Sequence, residues 1–428
     1  MTQLRSAAER RETLHALADA LADARDAVLE VAAAETGLTE ARLADELDRT
    51  TGQLRLLGDF VADSRDRPVI TSPHAAPDGA DIVQVQVPIG PVAVFAASNF
   101  PLAFGVLGGD TGSALAAGCP VVVKAHPAQP KTADLLAGIA ARILDAATFR
   151  LVHGGPEVSL ALVRDPAVRA VAFTGSPSGG RALMDAAAAR PDPIPVHAEM
   201  GSLNPVLVLP SALPATAWPA ALAASVTGSA GQLCTKPGLV VLPATADGDD
   251  FADGLDAAIA AVAPFERMLT PAMTVAHAAW RTRAGAYGTV TDTASPRHPF
   301  AVRVDADRLT GELLEEHFGP AVVLCRCPVE RYGEIVTRLP GSLTATVLAD
   351  PLDERLPPLL DELVPLAGRV ILNGVPTGVA VCDAMHHGGP WPATSNPLHT
   401  SVGTGSILRF LRPVALQGLP PGLVSRFG

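Results

Sequence analysis

From Pro91 onward, short apolar runs alternate with helical segments: "PVAVFAA", a small-residue helix over 103–118, "PVVVKA", a helix over 131–146, "FRLVHGG", "VRAVAFTGS", a helix over 179–189 and "IPVHAEMGS". Strands that are apolar on both faces must be covered on both faces, and this spacing leaves room for a crossover helix between each pair. The rhythm predicts a mainly parallel, doubly wound α/β sheet. It then restarts with "NPVLVLP", a helix over 213–229, "GLVVLP", a helix over 249–262, "AVVLCRC", a helix over 329–338, "LTATVLA", a helix over 353–366 and "GRVILNG". A second α/β domain follows from the restart, with the join near 200–204. A chain of 428 residues is long enough for two such cores.

Ahead of this rhythm, Ser6 and Glu9 form a capping box, and Leu14, Leu17, Leu21 and Val28 recur at helical spacing, predicting one long helix over 6–35 and a second over 40–62. With charges every few residues, this start reads as an amphipathic helix rather than a signal peptide. "DIVQVQVPIG" alternates with period two and predicts a strand turning at Pro88 to Gly90.

The formal charge of −12 and the lack of a clustered Lys/Arg run leave no electrostatic footprint for nucleic acid or anionic lipid. The apolar runs are too short to span a bilayer. Small molecules are therefore the expected partners. Five cysteines, an odd number without a repeating frame, fit a reducing, cytoplasmic compartment. Cys325 and Cys327 would share one side of a strand, yet no second Cys/His pair stands nearby, so they read as structural and no metal site is expected. Nucleotide-binding P-loop, zinc-protease, serine-elbow and G-x-G-x-x-G motifs are all missing.

Several short motifs each admit two readings. "FTGSPSGG" joins a strand to a helix; Gly175, Ser176 and Gly180 suit either a pyrophosphate at a helix start or an ordinary turn with a capping serine. Lys124 ends a strand, at the edge where ligands of such sheets bind, or is a solvated lysine. Glu199, at the end of an apolar strand, is a candidate general base or an ion-paired carboxylate. Asn99 is a candidate oxyanion donor or the asparagine of a turn before Pro101. Cys234, in "TGSAGQLCTKPG", is a buried inert thiol or a nucleophile; its Gly-flanked loop between helix and strand is where reactive residues concentrate. Lys236 adds a positive charge two residues on, suited to the thiol, to an anionic substrate or to solvent.

Taken in order, "PIGPVAVFAASNFP", "ALAAGCPVVVKAHP", "AFTGSPSGG", "AEMGSLNPV", "GQLCTKPG", "LLEEHFGPAVVL" and "HGGPWPATS" through "TSVGTGSILRFLRPV" resemble the NAD(P)-dependent aldehyde dehydrogenase superfamily over nearly the whole chain. Within it, they are most similar to the 2-oxoglutarate semialdehyde (2,5-dioxopentanoate) dehydrogenases and the NADP-preferring fatty aldehyde dehydrogenases. The resemblance implies a cofactor-binding Rossmann-like domain over 1–81 and 92–200, a catalytic domain over 201–405, and an oligomerisation ribbon over 82–91 with 406–428. It also implies Cys234 as nucleophile, Glu199 as general base, and Asn99 with the Cys234 backbone N–H as oxyanion hole. Lys124, His126, Gly175, Ser176 and Gly180 would serve the adenosine and pyrophosphate end of the cofactor, and Glu316 and Phe318 the nicotinamide end. The implied reaction oxidises an aldehyde, a semialdehyde among the candidates, through a cysteine hemithioacetal and thioester. The alternatives are acyl transfer to coenzyme A and a shortened, non-catalytic scaffold or binding protein.

NAD-preferring members carry a glutamate three residues after the lysine, where this chain has Pro127, so NADP is expected at least as readily as NAD. By the same comparison the amino-terminal segment, the stretch between Cys234 and Glu316, and the carboxyl-terminal extension are short. A homodimer is expected, and a tetramer is not.

Overall fold

The computed structural model describes residues 6–214, 216–293, 295–424 and 427. The chain divides into two compact units. The first takes the chain up to Ala198, Ala380–His386 and everything from His399 onward; the second takes Glu199–Val379 and His387–Leu398.

In chain order the first strands are β1 (Ile70–Ser72), β2 (Ile82–Pro88), β3 (Val92–Phe95), β4 (Val121–Lys124), β5 (Phe149–Val152), β6 (Ala170–Thr174) and β7 (Val196–Glu199). Five of them form a sheet in the order β5-β4-β3-β6-β7, with β3 parallel to both neighbours. Val92 and Val94 pack with Leu14, Leu17 and Leu57 on one face, while Ala93 and Phe95 pack with Val163 and Leu183 on the other. That division explains why these strands read as continuous apolar runs.

The helix expected over 6–35 is in fact two, Ala7–Asp23 and Arg25–Thr36, broken at Ala24. Leu14, Leu17, Leu21, Val28 and Leu29 are buried in one core on both sides of the break, so the apolar periodicity runs through it unmarked. The helix expected over 103–118 is confined to Gly109–Ala116, the preceding residues forming turns. Helices Pro156–Arg164 and Pro271–Ala284 were not anticipated.

The second unit contains β8 (Val206–Val208), β9 (Leu239–Pro243), β10 (Thr289–Val290), β11 (Phe300–Asp305), β12 (Ala321–Cys327), β13 (Ser342–Leu348) and β14 (Ala367–Leu372). Their order is β10-β11-β12-β9-β8-β13-β14, parallel except where β10 meets β11. β11 escaped the sequence reading, although "FAVRVD" is an ordinary apolar strand. Cys325 and Cys327 share one core face, and burial pushes their thiols up to about 12 and about 11, as suits structural residues. The chain then returns to the first unit, where β15 (Leu411–Gln417) pairs antiparallel with β2, from Leu411 opposite Pro88 to Gln417 opposite Ile82, and β1 covers β2's other edge. Among the described residues no helix is long and apolar enough to cross a membrane.

Candidate active site

In the second unit, helix Trp218–Thr227 runs into a 3-10 turn over Gly228–Gly231 that changes hand before the cysteine. Ser229 (φ 50°), Ala230 (φ 52°) and Gly231 (φ 67°) are consecutive left-handed residues. For the two with side chains this costs about 1–2 kcal/mol each. At Gly231 a Cβ would lie 2.2 Å from the carbonyl carbon of Gly319, so glycine is required by space as well as by conformation. Backbone strain of this kind persists where the surroundings over-determine it, and it concentrates at functional sites.

Asn204 fixes the segment that follows this turn. It is fully buried and itself left-handed (φ 51°). Its Nδ2 donates to the Cys234 carbonyl at 2.8 Å and the Lys236 carbonyl at 2.9 Å, while its Oδ1 accepts from the Ser202 hydroxyl at 2.7 Å and the Thr344 hydroxyl at 3.0 Å. One side chain thus ties the cysteine loop to β13. Gln232 adds a second tie, its Oε1 accepting from the Leu269 amide at 2.9 Å.

Glu199 ends β7 and is 4% exposed. The chain just after it is fixed where the Met200 amide donates to the Ala393 carbonyl at 2.7 Å. Between Glu199 and Cys234 lies His387, 3% exposed, a residue with no assigned role in the sequence reading. Its Nε2 is 3.1 Å from Glu199 Oε1 and 3.6 Å from Cys234 Sγ, within reach of a hydrogen bond to sulfur. The segment after it is seated closely: a Cβ at Gly389 (φ 147°) would lie 2.4 Å from the Ser342 carbonyl oxygen. Burial lowers the His387 pKa, but the Glu199 carboxylate and the hydrogen bonds to Cys234 and Glu199 outweigh it and raise the imidazole to about 10. At neutral pH His387 is therefore an imidazolium bridging a carboxylate and a sulfur.

Lys236 is neither solvated nor open to a substrate. It is 2% exposed, and its Nζ donates to the Ala321 carbonyl at 2.7 Å. Burial lowers its pKa and raises that of Glu316, its electrostatic partner, which is also drawn on by a backbone hydrogen bond from Ser202. Glu316 and Phe318 stand, half-buried, in the loop that leads into β12. A half-buried cation that does interact electrostatically with Cys234 is Arg369 on β14, whose guanidinium donates to the carbonyls of Gly378 and Pro376.

The remaining candidates lie in the first unit. Lys124 ends β4, is 7% exposed and has its pKa lowered by burial. Burial, then Lys124, lowers His126 to about 4; its Nδ1 accepts from the Ala128 amide at 3.2 Å, so this imidazole is neutral and has only a hydrogen bond to offer. Ser176 is the N-cap of helix Pro177–Ala188, its Oγ accepting from the Gly179 amide at 3.2 Å. Gly175 precedes it and Gly180 is buried within the helix's first turns. Asn99 is buried in the turns that follow β3.

The sequence profile described as the aldehyde dehydrogenase family matches residues 2–279. Alpha-ketoglutaric semialdehyde dehydrogenase 2 of Azospirillum brasilense is 44% identical, the alignment covering 97% of this chain and 84% of that protein. Alpha-ketoglutaric semialdehyde dehydrogenase of Acinetobacter baylyi is 42% identical over 91% of this chain and 78% of its own. Among solved structures, the aldehyde dehydrogenase KauB of Pseudomonas aeruginosa superposes with a TM-score of 0.85 at 20% identity, over 97% of this chain and 85% of that one. Proline utilization A of Bradyrhizobium japonicum gives 0.83 at 22% identity, but this chain spans only 43% of its length. These structural likenesses concern the fold, whereas the family profile and the two semialdehyde dehydrogenases fix the lineage: the chain belongs to the aldehyde dehydrogenase family.

Proposed function

We propose that this protein oxidises a semialdehyde bearing a distal carboxylate to the corresponding acid, with Cys234 as nucleophile and NADP used at least as readily as NAD. The observation that carries the reading is the contact of Cys234 Sγ with His387 Nε2, itself in contact with Glu199. His387, as an imidazolium beside Sγ, offers a positive charge and an N–H donor to the sulfur anion that attacks the aldehyde carbon, the thiol proton leaving to solvent, and the product is a hemithioacetal on Cys234. Asn99 and the Cys234 amide are the proposed donors to its oxyanion. When bound, the nicotinamide supplies the hydride acceptor that makes the oxidation to a thioester possible. Glu199 then takes a proton from water, which attacks the acyl carbon and releases the acid and the thiol. A buried carboxylate held beside the sulfur favours water over coenzyme A as acyl acceptor.

The chemistry of the first unit's donors fits the phosphorylated end of such a cofactor. Lys124 brings a cation to the carboxyl edge of the five-stranded sheet, and Ser176 opens a helix whose first amides face an anion favourably. Pro127 replaces a carboxylate that would repel a 2′-phosphate; the charge for that phosphate comes from Lys124, while the neutral His126 contributes a hydrogen bond. Glu316 and Phe318 are the proposed residues for the nicotinamide end. The semialdehyde assignment draws on the two Azospirillum and Acinetobacter relatives and on Arg369, the cation that interacts with Cys234. Five free cysteines suit a cytoplasmic location, and the β2–β15 ribbon is the proposed dimer element.

The test is a panel of aldehydes, with and without a distal carboxylate, assayed with NAD and NADP. The expected result is a higher kcat/KM for the carboxylate-bearing members with NADP, loss of turnover in Cys234→Ala, and a burst of reduced cofactor followed by a steady state about 100-fold or more slower in Glu199→Gln. Full turnover in Cys234→Ala overturns the mechanism, and a clear NAD preference overturns the cofactor assignment.

A further inference from the structure

We propose that Cys234, His387 and Glu199 together form a binding site for a divalent d-block cation of zinc's type, and that its occupancy shuts the enzyme down. The inhibitory half rests on the catalytic reading above; the binding half does not. Among the described residues these three are a set of potential ligands whose donor atoms all lie within 4.8 Å of one another. All three belong to the second unit.

The argument is one of donor type and spacing. A thiolate, an imidazole and a carboxylate make a mixed S/N/O set that zinc binds well, and that magnesium and calcium, which want six or more oxygens, do not. Zinc bonds of about 2.3 Å to sulfur and 2.0–2.1 Å to nitrogen put tetrahedral S and N ligands about 3.5 Å apart. Cys234 Sγ and His387 Nε2 are 3.6 Å apart already. His387 Nε2 and Glu199 Oε1, at 3.1 Å, need to separate by only a few tenths of an ångström. The Cys234–Glu199 edge, within 4.8 Å, has to shorten by about 1.2 Å at most to reach the spacing of tetrahedral S and O ligands.

The site is also preorganised. His387 and Glu199 are almost wholly buried, and the cysteine loop is pinned by Asn204, so little ordering remains for a metal to impose. Cys234 is the partly exposed member, which leaves the fourth position on its side open to water. Binding replaces protons on the thiol and imidazole, which leave to solvent, and forms metal–sulfur, metal–nitrogen and metal–oxygen bonds without any change of oxidation state. With its sulfur lone pair engaged, Cys234 cannot attack a carbonyl.

Cobalt(II) reads the site directly. Added to the reduced, full-length, cofactor-free protein, one equivalent is expected to give a cysteinate-to-cobalt charge-transfer band with the d–d intensity of four-coordinate cobalt. The band should vanish in Cys234→Ala, weaken at least tenfold in apparent affinity in His387→Asn, and persist in a Cys382→Ser control, which removes the exposed thiol. Zinc should abolish aldehyde-dependent turnover of the wild type, a chelator should restore it, and magnesium should leave it unchanged. Absence of the band at saturating cobalt, its survival in Cys234→Ala, or equal inhibition by magnesium overturns the proposal. A band in a protein that lacks turnover supports the metal site and rejects the catalytic reading; turnover without a band does the reverse.

Discussion

The proton on His387 is held by two neighbours, and its linkage to folding can be worked out by sign. With a folded-state pKa near 10 against an ordinary value of about 6.5, the imidazolium form is favoured in the native state. The stabilisation is complete below about pH 6.5 and is lost as pH rises toward 10. Lys236, whose pKa is lowered, works in the opposite direction over the upper part of that window, so the useful quantity is a difference. Urea midpoints measured from pH 6 to 9.5 should fall more steeply in the wild type than in His387→Asn; parallel profiles would remove the charged-histidine assignment. The residue's absence from the sequence reading has a physical cause. His387 stands 153 positions from Cys234, in a loop without periodicity, and its quoted motif "HGGPWPATS" carries no spacing relation to the cysteine. Cys234 and Glu199 stand out in the sequence as candidates because strand ends and Gly-flanked loops are local features, and the structure brings the two together. The solvated and substrate-facing readings of Lys236 fail because its burial is decided by the Ala321 carbonyl, 85 positions away.

At the scale of elements, strand identity was local and turn geometry was not. The residues that follow β3 carry Asn99, and helix Glu40–Ala62 shapes them from a distance of more than 50 positions. Glu46 Oε1 accepts from the amides of Leu102 at 2.8 Å and Ala103 at 2.9 Å, and Oε2 pairs with Arg42 at 2.7 Å. Arg42 also lies over the Phe100 ring, 4.5 Å from its centroid, and Gln129 Nε2 donates to the Ser98 carbonyl at 2.5 Å. No apolar periodicity records such a clamp, so the sequence alone extends the helix over 103–118 instead of Gly109–Ala116. Burial raises the Glu46 pKa against the pull of Arg42 and the two amides, so these partners offset the cost of burying the carboxyl only in part. Removing it strands buried donors. Glu46→Ala is expected to lose about 3 kcal/mol in urea unfolding and to lower kcat through the displaced Asn99 turn, whereas Glu46→Gln, which keeps an acceptor, should lose less. A cost below about 0.5 kcal/mol for Glu46→Ala, the range of ordinary surface changes, would show that the turn holds itself.

At the scale of the whole molecule, two sheets with separate cores imply two folding units, and the sequence supplies a probe that separates them. Trp218, Trp280 and Trp391 all fall in the second unit, so tryptophan fluorescence reports on that unit, whereas far-ultraviolet circular dichroism reports on both. Large chains with more than one core commonly depart from two-state unfolding. The two probes are therefore expected to give non-coincident urea curves. Adenosine 2′,5′-bisphosphate carries the ribose phosphate that Lys124 is proposed to bind but no nicotinamide, so it addresses the first unit by itself. At about 100 times its dissociation constant it should stabilise that unit by about 2.7 kcal/mol. The dichroism transition is expected to move to higher urea while the fluorescence transition stays in place. Coincident curves that shift together would show that the units unfold as one cooperative block, and a ligand that moves neither curve would remove Lys124 from the cofactor site.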